Sequence, residues 1–194
     1  MESWADYRRT FAAALDGLAA GAPDGAPIGL SDALDRWVEI TREVHAAGRA
    51  IYFAGNGASA MMASHMAADA CKNGGLRALA FNDVAMVTAT GNDVGFDQLF
   101  SLPLNRLATR GDLLITISSS GNSPNILRGL DTAHAMGVRA VTLSGKSPDN
   151  RSRRMGELNF YVPAQRYGWV ESAHQLILHY WFDQYLNKYG QGAI

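Results

Sequence analysis

The chain has 194 residues, 47% of them hydrophobic, which suffices for one globular domain with a sizeable core. Its formal net charge of −1, with seventeen basic residues scattered along the chain, argues against a general nucleic-acid-binding surface. The single cysteine, Cys71, excludes an intramolecular disulfide and suits a reducing cytoplasm, no run of about 18 apolar residues predicts a membrane span, and the charged start (Glu2, Asp6, Arg8, Arg9) lacks a secretory leader core.

Trp4, Tyr7, Phe11, Leu15 and Leu18 recur at three- and four-residue spacing and predict an amphipathic helix, ended by the Gly- and Pro-rich stretch from Gly21 to Pro27. Ser31 is placed to cap a second helix with the stripe Leu34, Trp37, Val38, Thr41 and Val44. These two helices make residues 1–48 a helical region without a catalytic constellation, suited to covering a sheet or packing on another subunit.

After Gly48, short apolar runs alternate with helical segments. The expected strands are Ala50–Ala54, Ala78–Phe81, Leu113–Ile117, Ala140–Leu143 and Leu158–Val162; helices are expected near 60–72, 97–109, 125–136 and 169–188, with a short one over Val84–Thr90. Such alternation predicts an α/β fold: a three-layer α/β/α sandwich around a five-stranded parallel sheet, spanning residues 49–194. Pro148-Asp149-Asn150 reads as a loop, and the basic run Arg151-Ser152-Arg153-Arg154 as a solvated segment able to meet phosphate.

Two loops have the chemistry of an anion cradle. Leu113 to Ile117 breaks into Ser118-Ser119-Ser120-Gly121-Asn122-Ser123-Pro124 before a helix, and Ile51 to Ala54 into Gly55-Asn56-Gly57-Ala58-Ser59 before another. Unpaired N–H groups at a helix N-terminus favour an anion, and serine hydroxyls add donors without blocking its approach. One glycine-rich loop is weak evidence, but in a parallel sheet the loops at the strands' carboxyl ends gather along one edge. The pair therefore points to a phosphorylated small molecule.

The histidines and carboxylates near these loops suggest further chemistry. His65 and Asp69 lie four apart on one helix face. Glu171 and His179 are eight apart in the final helix, about 12 Å along its axis, and share a face. Together they form a two-His, two-carboxylate set suited to zinc or a similar divalent ion; the bland alternatives are a surface hydrogen bond for His65–Asp69 and core roles for His174 or His179. His45 and His134 lie away from the loops and read as surface or packing residues.

The segments Gly55 to Ser59, His65-Met66-Ala67, Gly91 to Phe96, Ile117 to Ser123 and Leu143 to Lys146, together with the span Glu171 to His179, stand in the order found in the SIS (sugar isomerase) domain family, which the chain resembles over nearly its whole length. The resemblance implies that Ser59, Ser118, Ser120 and Ser123 hold a sugar phosphate, with Asn56 and Asp93 on the sugar. It implies metal ligation by His65, Asp69, Glu171 and His179, with Asp69 and His179 as the acid–base pair and one zinc ion per subunit. It also implies a cytoplasmic homotetramer with active sites at subunit interfaces.

Five positions depart from the family pattern. Asp69 stands for Glu, Glu171 for Gln, Gly168-Trp169 for Asp-Arg, and Asn73 for Arg. The expected activity is metal-assisted aldose–ketose isomerisation of a phosphorylated sugar, sedoheptulose 7-phosphate being the expected substrate. The rival is a non-catalytic SIS module that senses a sugar phosphate or binds a protein partner. Relatives of that kind lose the carboxylate after the motif histidine and the distal histidine, and this chain keeps both as Asp69 and His179.

Overall fold

The computed structural model describes residues 2–190. Five parallel strands form the centre: β3 (Ala50–Gly55), β4 (Arg77–Ala80), β5 (Leu113–Ser118), β6 (Arg139–Gly145) and β7 (Leu158–Val162). The expected parallel strands are therefore all present, and in β3, β5 and β7 every residue is buried, as a sheet covered on both faces requires.

The sheet nevertheless has seven strands rather than five. Two short antiparallel strands, β1 (Ala19–Gly21) and β2 (Pro27–Ile28), flank the Gly- and Pro-rich stretch, giving the order β2-β1-β7-β6-β5-β3-β4. Ala20 pairs with Phe160, so β1 covers what would otherwise be the open edge of β7.

Seven α-helices lie among the described residues. Helices α1 (Trp4–Asp16), α2 (Leu30–Ala46), α3 (Ala58–Lys72) and α7 (Tyr167–Tyr189) pack on one face, with Trp37, Met66, Leu178 and Trp181 fully buried there. Against the other face lie α5 (Ser101–Leu107) and α6 (Pro124–Met136), through Phe100, Leu104, Ile126 and Leu130. The short α4 (Val84–Asp93) follows β4. Three layers result.

Two helix boundaries differ from the sequence reading. Gly29, not Ser31, occupies the N-cap of α2, and no side chain caps that end. The segment expected as one helix over 97–109 is a 3-10 turn at Phe96–Gln98 followed by α5. Pro103 lacks the N–H that a helix running through residue 99 would need, but is tolerated in the first turn of a helix restarting at Ser101.

The connection from β3 to β4 runs outward on one side, whereas β5 returns to the other side of β3. Their carboxyl ends, Gly55 and Ser118, therefore lie at the point where strand order reverses, the usual location of a ligand cleft in an open α/β sheet.

Candidate active site

At that reversal point, Asn56, Ser59, Ser118, Ser119, Ser120, Ser123, Tyr167 and Glu171 line a cavity of about 140 Å³. It therefore collects all four predicted phosphate serines and Asn56. The loop geometry leaves these hydroxyls available. Ser123 is the N-cap of α6 yet its side chain makes no capping bond, and its Oγ lies 3.5 Å from Ser118 Oγ. Ser118 Oγ accepts the Gly121 N–H at 3.2 Å, and Ser120 Oγ accepts the Asn122 N–H at 3.2 Å, which folds the loop tightly around the end of β5. Gly121 is needed for that fold: its φ is +63°, and a Cβ there would stand 2.0 Å from Asn150 Oδ1.

The first loop is built by close approach. A Cβ on Gly55 would sit 2.6 Å from the Ser59 carbonyl oxygen, so glycine lets the start of α3 fold back over the end of β3. Ser59 is thereby buried in the first turn of α3, facing the serines of the second loop across the cavity.

Two residues of this cavity were not anticipated in the sequence. Tyr167 opens α7 and lies under the Lys146 ammonium, 3.1 Å from the ring centroid. Lys146 follows β6 with φ +58°, the sole non-glycine residue with positive φ among those described, and its carbonyl accepts from Tyr161 Oη and Gln165 Nε2. Ser119 was recognised as part of the loop but not as part of the lining. A signal for Asn125, which pairs with Asn56, was its polar side chain on the apolar stripe of α6.

Beside the serine cavity, His65 Nε2 lies 3.3 Å from Asp69 Oδ2 on α3, and the rings of His65 and His179 are 5.4 Å apart at 69°. Ligand atoms of His65, Asp69 and His179 all lie within 4.8 Å of one another. Glu171 stands outside this close trio, because it leaves α7 about two turns before His179. It instead lines both the serine cavity and an adjoining hollow that contains His65. The two imidazoles and one carboxylate have the donor chemistry of a divalent-metal site, with three protein ligands leaving room for an exchangeable position. Asp93 is not drawn in: it is exposed at the end of α4, accepts from Asn92 at 2.6 Å, and lines neither hollow.

His174, on the same helix, is a core residue. It is fully buried, and its Nε2 lies 3.1 Å from the Ser144 carbonyl oxygen. Burial pushes its pKa down to about 4, with the Ser144 contact acting in the opposite sense. The neutral ring therefore belongs to the packing beneath the site.

A fully parallel core, serine loops at the strand reversal and helix-borne histidines together define a sugar-phosphate-binding type of α/β domain. The chain belongs to the SIS domain family, whose model matches residues 29–145. It is 35% identical over 156 residues to the phosphoheptose isomerase of Geobacter sp. (strain M21), covering 77% of this chain and 81% of that one. Among solved structures it resembles phosphoheptose isomerase GmhA from Neisseria gonorrhoeae, with TM-score 0.81, 28% identity, and coverage of 93% and 96% of the two chains. A phosphoheptose isomerase from Francisella tularensis also superposes with TM-score 0.81, at 26% identity, covering 93% of this chain and 95% of that one.

Proposed function

We propose that this protein is an aldose–ketose isomerase that converts sedoheptulose 7-phosphate to a heptose 7-phosphate. The observation that carries the reading is the position of Glu171, which lines both the serine cavity and the hollow containing His65. A phosphate held by Ser59, Ser118, Ser120 and Ser123 would project the sugar past Asn56 and Glu171 toward Asp69 and His179.

Isomerisation moves a proton between adjacent carbons through an enediol and requires a base, an acid and stabilisation of a developing oxyanion. The Asp69 carboxylate takes the proton from one carbon, and His179 supplies or removes the proton on the neighbouring oxygen. Serine hydroxyls and the N-terminus of α6 fix the phosphate, which holds the reacting carbons in register. His65, Asp69 and His179, with Glu171 joining from the earlier turn of α7, are proposed to hold one zinc ion. When bound, zinc would polarise the substrate oxygens.

The proposed assembly is a cytoplasmic homotetramer, with residues 1–48 contributing to association and residues 49–194 forming the phosphosugar-binding domain. Exposed apolar side chains support association: Trp4 is 76% exposed, Met61 75% and Val84 74%. The free, exposed Cys71 is consistent with a reducing compartment.

The direct test is incubation of purified protein with sedoheptulose 7-phosphate in deuterated water. Product formation with deuterium incorporation at the former ketone carbon, C2 of the aldose, is expected. Binding of the sugar phosphate without exchange would instead favour a sensor.

A further inference from the structure

A second hollow lies away from the proposed catalytic residues. It has a volume of about 630 Å³ and is lined by Gly21, Gly25, Arg151, Arg153, Arg154 and Asn159 with their neighbours. Three guanidinium groups arise within four residues of a 3-10 turn, Arg151–Arg154. Arg151 and Arg154 are exposed and Arg153 is half-buried, and all three line the same hollow. Arg151 and Arg154 have no side-chain hydrogen bond or ion pair among the described residues. Arg153 is partly engaged, donating to the Pro148 carbonyl and lying 4.2 Å from the Tyr161 ring centroid.

The one carboxylate on the wall does not neutralise them. Asp149 accepts a hydrogen bond from Ser147, which holds its carboxyl below the usual range, and it forms no ion pair with these arginines. Three cations against one anion leave an excess of two positive charges. Arginine forks bind phosphate oxygens in a bidentate manner. The hollow is far larger than inorganic phosphate needs and falls in the ordinary range for organic ligands, roughly 300–1,000 Å³.

The turn is also built into the phosphate cradle from behind. Arg151 N–H donates to Asn122 Oδ1 at 2.9 Å, and Ser152 N–H to the Gly121 carbonyl at 3.0 Å. Thr142 Oγ1 donates to the Ser152 carbonyl at 3.1 Å, tying the turn to β6 as well. The arginines are thus displayed on a supported backbone rather than on a free loop.

We infer that this hollow is a second anion site, separate from the sugar-phosphate cradle, that takes a small molecule bearing a diphosphate. Arg151 and Arg154 grip the diphosphate, Arg153 is braced on Tyr161 at the wall, and the remaining volume admits an organic group.

Calorimetric titration of the full chain with ADP and, separately, with pyrophosphate tests this. The probes are titrated into wild type, into the double variant Arg151→Gln/Arg154→Gln, and into Ser120→Asp, whose cradle is blocked. Binding of at least one probe to wild type is expected, retained in Ser120→Asp and weakened at least about tenfold in the double variant by loss of two charge-assisted contacts. Equal affinity for both probes would assign recognition to the diphosphate, and tighter ADP binding would add the organic group; either supports the site. No binding of either probe to wild type at millimolar concentration overturns it. So does binding that survives the double variant or disappears in Ser120→Asp. Circular dichroism of each variant verifies the fold, which Arg151 and Arg154 side chains do not support through any internal bond.

Discussion

Asn56 and Asn125 face each other as a reciprocal amide pair, Asn56 Nδ2 donating to Asn125 Oδ1 at 2.9 Å and Asn125 Nδ2 donating to Asn56 Oδ1 at 2.8 Å. Asn56 belongs to the loop after β3, and Asn125 to the first turn of α6, after the serine loop. The two halves of the cradle are therefore clamped across the strand reversal. Asn125 Oδ1 also accepts the Ile126 N–H at 3.0 Å, so one buried side chain serves both loops.

Asn125→Ala should leave the Asn56 amide without its partners and cost about 1–3 kcal/mol of stability. It should also weaken sugar-phosphate binding, because the loops lose their common reference. Chemical denaturation of Asn56→Ala, Asn125→Ala and the double variant checks the coupling, expected at about 0.5–3 kcal/mol. Strict additivity would show that the clamp does not act as a unit.

Ser120→Asp should abolish sugar-phosphate binding while preserving the fold. Ser120 is only partly buried, and a carboxylate there would repel the phosphate and compete for the loop's N–H donors. Calorimetry on the folded variant is the check, and unchanged affinity would remove this loop from the site.

Asp69→Asn keeps size and shape but removes the proton acceptor. A general base contributes about 10²–10⁴-fold in rate, so solvent deuterium exchange should fall by at least about a hundredfold. Metal content must be measured on the same sample, because Asp69 also belongs to the close donor trio. Undiminished exchange would reject Asp69 as the base.

Purified protein prepared without chelator should hold about one divalent ion per subunit. His65→Ala should lower occupancy sharply, whereas His134→Ala, far along α6, should not. Elemental analysis distinguishes these outcomes. Full activity after exhaustive chelation, with no metal detected, would retire the metal-assisted route.

His174 predicts acid sensitivity. Its ordinary pKa of 6.5 is lowered to about 4 by burial, so the unfolded chain takes up this proton first as pH falls. The sign follows: this contribution to stability is complete above pH 6.5 and is lost progressively down to about pH 4. Its ceiling is about 3 kcal/mol, at about 1.4 kcal/mol per pH unit of separation. Urea midpoints should therefore decline through that window in wild type and decline less in His174→Gln. Parallel declines in the two proteins would assign the acid response elsewhere.

The contrast between β5 and β1 shows what was legible in advance. Leu113 to Ile117 is a continuous apolar run long enough to declare a strand buried on both faces, and its abrupt change to serine declared the loop. Ala19–Gly21 has neither length nor side-chain pattern, and becomes a strand only because the distant β7 supplies its partner. The site divides in the same way. Helical spacing put His65 beside Asp69, and the expected convergence of His179 with that pair is made by the packing of α7 against α3. Helix pitch also explains why Glu171, on the same face as His179, stands nearer the serines. Tyr167 acquires its place through a tertiary contact that no local pattern encodes, and Asn125, a polar residue on an apolar stripe, shows its partner only in the fold.

The pairing of Ala20 with Phe160 has a kinetic consequence. Each parallel strand from β4 to β7 pairs with a strand made before it, but β1 must wait for β7, far along the chain. Closing so long a loop is entropically slow, and until it closes β7 presents an unsatisfied edge. A nascent chain arrested before β7 would leave the amino-terminal ribbon without a template. The ribbon therefore acts as a late latch, making protection of the sheet's margin contingent on completion of its core.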